Sequence, residues 1–361
     1  MIPRTVGKVA IAVLATALVG TPAAAQSEAK LEEGWHRIRP GDTLEGLATK
    51  FLGDSKRWPE LHTLNPRITD PHWIYPGRRV RIPLVRPATE PNAQLLVVSN
   101  RVEARPTPVD WSEAGTGDLL LERDGLRTYE DSSARLRFDD GSTATIGEAS
   151  LVFIRQQTLS TLPTPRKEIE IEAGQAEFET VRGGELRPPE IEVVVGSTRS
   201  TTTAGPDGAL SRHRRDGESA QVMLYRGSGE VRAEGGSVEL AAGTGTTVGA
   251  GGAPSPPEKL LAAPALESPP DGFELPGGST SVELRWREVA GAEGYLVELC
   301  GDRACGALLA RQAVGDVTRH RLSNPPRRMV YWRVTAISDS GLDGYPSPSR
   351  TLRPKLLVVL E

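Results

Sequence analysis

The chain has 361 residues, with 43 Lys and Arg against 47 Asp and Glu, a formal net charge of −4. That length exceeds what one hydrophobic core usually covers, so it predicts two to four domains, and the acidic balance argues against nucleic acid as a partner. Gly (38) and Pro (29) are plentiful while aromatics make up 5%, which favours short strands and turns over long helices; mostly β structure is expected.

Arg4 and Lys8 precede an apolar run from Val9 to Val19, which Gly20-Thr21-Pro22 interrupts before Ala23-Ala24-Ala25. This order of basic start, short apolar run and small residues predicts a signal peptide over 1–25, cut between Ala25 and Gln26, and hence export to the periplasm. No later stretch approaches the roughly 18 apolar residues of a membrane helix, so no transmembrane segment is expected after signal removal. Between His36 and Pro83, nine Lys or Arg face five Asp or Glu. That local excess suits either an anionic polymer or an ordinary solvated surface.

Two stretches read as linkers, Arg86-Pro-Ala-Thr-Glu-Pro-Asn92 and one over 250–265 that opens with Ala250-Gly-Gly-Ala-Pro-Ser-Pro-Pro257. Before the first, Thr43 is placed to cap a helix carrying Leu44, Leu47, Ala48 and Phe51, which Gly53 ends. A second helix is predicted from near Ser55 through Trp58, Leu61 and Leu64, ending before Asn65-Pro66 because the residue before proline resists helical geometry. Strands at His36 to Arg39 and Val80 to Ile82 complete a βααβ order.

The blocks Pro40-Gly41-Asp42-Thr43-Leu44, Leu47-Ala48, Trp58, Leu61, Asn65-Pro66 and Ile74-Tyr75-Pro76-Gly77, followed by Val80-Arg81-Ile82-Pro83, resemble a LysM domain, here placed at 35–84. The resemblance implies binding of the N-acetylglucosamine-containing glycan of peptidoglycan or chitin. It implies a groove with Gly41, Asp42, Thr43 and Leu44 on one wall and Ile74, Tyr75, Pro76 and Gly77 on the other. The residue chemistry agrees, since Gly41 and Gly77 let backbone groups approach an acetamide while Ile74 and Tyr75 offer apolar faces to a sugar ring. Asp42 and Thr43 suit helix capping equally well, a role worth about 1 kcal/mol each. Glu45 and His36 depart from the apolar or aromatic residues common in the family, which implies a modest affinity.

Further along, Ala134-Arg-Leu-Arg-Phe138, Glu168-Ile-Glu-Ile171 and Glu190-Ile-Glu-Val193 alternate at period two, as half-buried strands do. The offsets of Ile169, Ile171, Gly174 and Phe178 recur at Val222, Leu224, Gly227 and Val231, and again at Val238, Leu240, Gly243 and Thr247, which predicts stacked strand, Gly turn, strand units. With Asp140-Gly-Ser142, Ile146, Leu151 and Leu240-Ala-Ala-Gly243, this stretch resembles the periplasmic FecR-like domain, placed at 113–249. The last part, 266–355, is similar to a fibronectin type III-like sandwich, carried by Val282-Glu-Leu-Arg-Trp286, Gly294-Tyr-Leu-Val-Glu-Leu299 and Tyr331-Trp-Arg-Val-Thr-Ala336. Val330, Trp332, Val334 and Ala336 should share a face and join Trp286 in its core. The fold class expected is therefore mainly β and multidomain: a small βααβ domain, an all-β domain and a β-sandwich.

Cys300 and Cys305 lie in the exported part and predict a disulfide across a strand connection, worth about 2 kcal/mol for so short a loop, with free thiols as the alternative. The five histidines are scattered, and no HExxH, GxSxG or P-loop pattern occurs. Neither a catalytic residue, a metal nor a cofactor is expected. The sequence thus points to an exported, non-catalytic wall-binding scaffold whose β domains face an envelope protein partner. The alternative is an envelope sensory or regulatory protein that relays signals through the FecR-like domain.

Overall fold

A computed structural model of the chain describes residues 31–85, 93–157, 166–180 and 190–354. The signal peptide expected at 1–25 and the first linker lie outside these residues. Strand β1 (Leu31–Arg37) pairs antiparallel with β2 (Arg79–Val85), both running further out than the sequence pattern suggests. Between them lie helix α1 (Leu44–Leu52), a 3₁₀ turn (Ser55–Arg57) and helix α2 (Trp58–Leu64). Thr43 caps α1, its Oγ1 accepting from Gly46 N at 3.0 Å, and Gly53 closes it at φ 76°. Leu44, Leu47, Ala48, Leu61, Val80 and Ile82 bury one face of each element in a common core. Asn65 explains the Asn-Pro motif: its side chain donates to Leu61 O and Arg81 O and accepts from Arg81 N, tying the end of α2 to β2.

From Ala93 to Lys259, seventeen strands among the described residues form one hydrogen-bonded array that folds over itself into two layers. The long strand Arg166–Thr180 serves both layers. Its first half pairs with Leu151–Gln157 and Glu190–Val195, its second with Thr143–Ile146 and Ala209–Asp216. The change falls at Gly174, where φ is 77° and a Cβ would stand 2.6 Å from Ser150 Cα.

This corrects the expectation of stacked hairpins. Gly174, Gly227 and Gly243 do not turn a strand back on its neighbour; they are corners that carry the chain between layers. After Gly227, the strand Ser228–Ala233 leaves Ser219–Arg226 and pairs instead with Thr198–Thr203 and Gly236–Ala241. A Cβ on Gly227, at φ 91°, would meet Thr203 O at 2.7 Å. The repeat is real in sequence, but it encodes sheet switching.

The C-terminal part packs a three-stranded sheet (Leu266–Ser268, Ser281–Trp286, Arg319–Ser323) on a second sheet that includes Gly294–Cys300, Leu308–Val314, Val330–Ile337 and Arg350–Pro354. Trp286, Val330, Trp332, Val334 and Ala336 are buried between them, as the alternation predicts, and Tyr295 joins them. Cys300 and Cys305 are disulfide-bonded across the short connection that leads into Leu308–Val314, with Cα atoms 5.1 Å apart.

Each part touches the next. Val109, from the array, enters the core of the βααβ unit, where a Cβ on Gly34 would lie 2.5 Å from its methyl. Asp110 N donates to Trp35 O. The stretch 250–265, expected as linker, is held against the array: Glu258–Lys259 pairs with Thr244–Gly245, and Leu260 is buried with Met223, Tyr225 and Leu342. Leu342 belongs to the C-terminal sandwich, so this stretch lies along the seam between the two β parts.

Candidate functional site

The pairing of Arg37 with Arg79 sets the geometry of the expected groove. Ile38 N donates to Arg78 O and Gly77 N donates to Ile38 O, both at 2.8 Å. The segment after β1 and the segment before β2 therefore emerge side by side from one end of the sheet, and both expected walls start there.

The eight expected groove residues divide by what their side chains do. Gly41 and Gly77 are exposed at φ 90° and 87°, conformations that favour glycine. Thr43 is occupied as the α1 cap, and Leu44 is 2% exposed, a core residue. Asp42 is also engaged: its Oδ2 accepts from Arg39 N at 2.8 Å and lies 2.9 Å from Nε2 of the buried His36. Burial raises the Asp42 carboxyl, but the Arg39 N–H and His36 outweigh it and hold it below its ordinary value. His36 Nδ1 lies 3.6 Å from Asp110, so the loop is braced on the β array as well. On the other wall Ile74 packs against the core, while Pro76 and Tyr75 are exposed, Tyr75 to 62%.

A cavity of about 530 Å³ opens beside this second wall and extends onto the sheet face away from the helices. Its lining includes Ile74 and Tyr75 but none of Gly41 to Leu44. Trp73, 69% exposed, stands at its edge, with Trp35 and Arg81 from the sheet; the Arg81 guanidinium lies 5.2 Å over the Trp35 ring. The expectations missed Trp35, Trp73, Arg67 and the outer-face arginines. One signal was legible: in Arg79-Val80-Arg81, burying Val80 turns both arginines to the opposite face.

A second, smaller cavity of about 90 Å³ lies between the array and the sandwich. Around it is a buried ionic network that sequence reasoning also missed. Asp343, fully buried, receives Arg212 at 2.8 Å and Arg214 at 2.5 Å, with Arg311 at 3.6 Å. Glu298 receives Arg333 at 2.6 Å, and Glu177 receives Arg212 at 2.7 Å. Burial raises the Glu298 carboxyl, yet Arg333, Arg311 and Arg212 overcome it and bring it down to about 2. Burial likewise raises Asp343, and Arg214, Arg212 and Arg311 hold it below its ordinary value.

Acids and bases here neutralise one another across a seam, an arrangement suited to fixing two parts together. No group of three or more His, Cys, Asp or Glu suited to a metal occurs among the described residues. No helix among them is long and apolar enough to cross a membrane.

Residues 36–83 match the LysM domain family and residues 124–231 match the FecR protein family, so the two kinds of domain stand in one chain. Over 58 residues the chain is 38% identical to the uncharacterized protein YqbP of Bacillus subtilis (strain 168), covering 13% of this chain and 26% of that protein. The chain thus spans about a quarter of the length of that curated relative. Among solved structures, it is similar to an anti-sigma factor candidate of Parabacteroides distasonis ATCC 8503, at 13% identity over 37% of this chain and 59% of that one, with a TM-score of 0.30. It is also similar to an Fn3-like protein of Clostridium thermocellum, at 17% identity over 27% and 94%, with a TM-score of 0.20.

Proposed function

We propose that this chain is an exported, non-catalytic protein that holds the N-acetylglucosamine-containing glycan of peptidoglycan through its LysM domain and stays in the periplasm as a wall-attached scaffold. Its two β parts then present surfaces to envelope protein partners. One observation carries the reading: the LysM match at 36–83 falls on the unit whose two loops leave one end of the sheet side by side. Tyr75 would stack on a sugar ring, and the backbones at Gly41 and Gly77 would meet the acetamide. Asp42, with His36, holds the first loop in shape, and Thr43 and Leu44 anchor it to α1.

Co-sedimentation with purified sacculi tests this reading. The full chain is expected to pellet with sacculi, and the Tyr75→Ala and Gly77→Val variants to remain largely in the supernatant. Equal retention of all three would move the site off this groove. The FecR match over 124–231 favours a second reading, in which the β array relays the state of the envelope to a membrane partner. Transcription unchanged between wild-type and deletion strains under wall stress would count against it.

A further inference from the structure

Apart from its ionic network, the seam between the β array and the C-terminal sandwich has a second set of contacts, made by the disulfide-closed loop. Cys300 ends the strand Gly294–Cys300 and pairs with Leu308, the first residue of Leu308–Val314. Between them the chain turns tightly: Gly301 N donates to Ala307 O at 2.7 Å, and the Asp302 carboxylate accepts from Gly306 N and Ala307 N. Leu308 then docks on the array with both of its backbone groups. Its N–H donates to Ser133 Oγ at 2.8 Å, and its carbonyl accepts from Ser99 Oγ at 2.7 Å. Leu308, both serines and both cysteines are buried. Arg135 of the array lies against the same loop, where a Cβ on Gly306 would stand 3.2 Å from its Nη1.

Such docking requires the loop in one shape, and that shape is not the one its residues favour alone. Cys305 stands at φ 60°, a left-handed conformation that residues with a Cβ rarely adopt. Among the described residues, Leu308–Val314 has a strand partner on one side only, and that pairing slips between Leu299 and Cys300. The disulfide holds Cys305 to Cys300 and removes the open forms of the loop from competition. We propose that this disulfide is the clasp of the seam: once it forms, Leu308 is presented to Ser99 and Ser133 and the two β parts lock together. While the thiols are reduced, both parts fold but stay unlocked. The closing step is a thiol–disulfide exchange. One cysteine thiolate attacks the disulfide of an oxidised dithiol carrier, the second displaces the carrier from that mixed disulfide, and the carrier leaves as a dithiol with the two electrons and two protons. Burial of both sulfurs then keeps reductants out of reach. The clasp is independent of wall binding.

Lys259 gives the readout. It is the only lysine between Lys167 and Lys355, it pairs with Thr244 along the seam, and the next residue, Leu260, is buried with Leu342 of the sandwich. A lysine-specific endoprotease should therefore cut there only when the seam opens. In the full chain, Cys300→Ser/Cys305→Ser is expected to be cut after Lys259 about tenfold faster than the wild type, with the near-ultraviolet circular dichroism of the buried Trp286 and Trp332 unchanged. Ser99→Ala/Ser133→Ala, which keeps the disulfide but removes what Leu308 docks on, should be cut faster at the same bond. Wild-type chain refolded with its thiols reduced should behave as the cysteine variant does and regain resistance on addition of glutathione disulfide. Cleavage at the wild-type rate in either variant would overturn the proposal. Loss of the tryptophan signal in the cysteine variant would overturn it too, because the disulfide would then serve the sandwich's own fold and not the seam.

Discussion

Where the LysM unit meets the large β array, the contact is short and is made by two neighbouring residues: Val109 enters the small core above Gly34, and Asp110 braces His36 and accepts from Arg37 N. Where the array meets the C-terminal sandwich, the seam is charged and largely buried. Asp343 and Glu298 sit among Arg212, Arg214, Arg311 and Arg333, with Tyr225 and Tyr345 packed edge to face nearby. An apolar plug tolerates partial loss, since trimming it removes only the contacts of the atoms trimmed. A buried ionic seam tolerates little, because deleting one partner leaves the others short of a counter-charge at buried positions. The comparison teaches that the two β parts behave as one body, with the LysM unit as the more loosely held attachment.

Each side of this contrast can be broken separately. The largest effect is expected from Asp343→Ala, which leaves Arg212, Arg214 and Arg311 short of a carboxylate and should cost about 3–5 kcal/mol in urea unfolding of the β parts. Replacing the pair together, as in Arg212→Met/Asp343→Leu, should cost less than Asp343→Ala alone. If it costs more, the seam is held by its charges and not merely tolerant of them. Retention on sacculi should be unchanged in both.

Acid should loosen the same body. Burial lowers His213 from 6.5 to about 3, so below pH 6.5 the unfolded chain takes a proton that the folded chain refuses. Stability from this residue is complete above pH 6.5 and is lost as pH falls towards 3, by roughly 5 kcal/mol in all. Glu298, whose folded value lies near 2 against an ordinary 4.5, adds a loss only as pH falls below about 4.5. In the window from 6.5 to 4.5 the loss comes from His213 together with His320, whose imidazole is also lowered by burial. A His213→Phe variant should flatten the slope of unfolding free energy there.

Effects at the LysM junction should be smaller. Val109→Ala is expected to cost the LysM unit about 2 kcal/mol, seen as faster hydrogen exchange in 34–38, with the β parts unchanged. Thr43→Ala, which deletes the α1 cap, should cost about 1 kcal/mol in the same unit. If Val109→Ala instead lowers the stability of the β parts as far as Asp343→Ala does, the contrast between the junctions fails.

Much of the fold is legible because period and punctuation are local properties. Thr43 and Gly53 mark the ends of α1, and the alternation of Val330, Trp332, Val334 and Ala336 names the sandwich core. Gly174 and Gly227 mislead because a glycine with positive φ serves a hairpin turn and a sheet corner alike, and only the pairing partner tells them apart. The ionic seam is illegible for a different reason. Arg212 and Asp343 are 131 positions apart, and Glu298 lies in a strand buried along its whole length, so no local pattern distinguishes them from surface charges.

At the candidate site, the loops and Tyr75 can be read from the sequence, and so can the local positive charge. The cavity is not, since it joins Trp35 on one strand to Arg67 and Trp73 on a loop more than thirty residues later.

The claim that wall attachment resides in the LysM unit is tested most directly by hydrogen exchange of the full chain with and without soluble stem-bearing peptidoglycan oligomers. The account predicts protection confined to 38–44 and 65–81, with exchange across 93–354 unchanged. Protection that falls on the β parts and spares both LysM segments would contradict it.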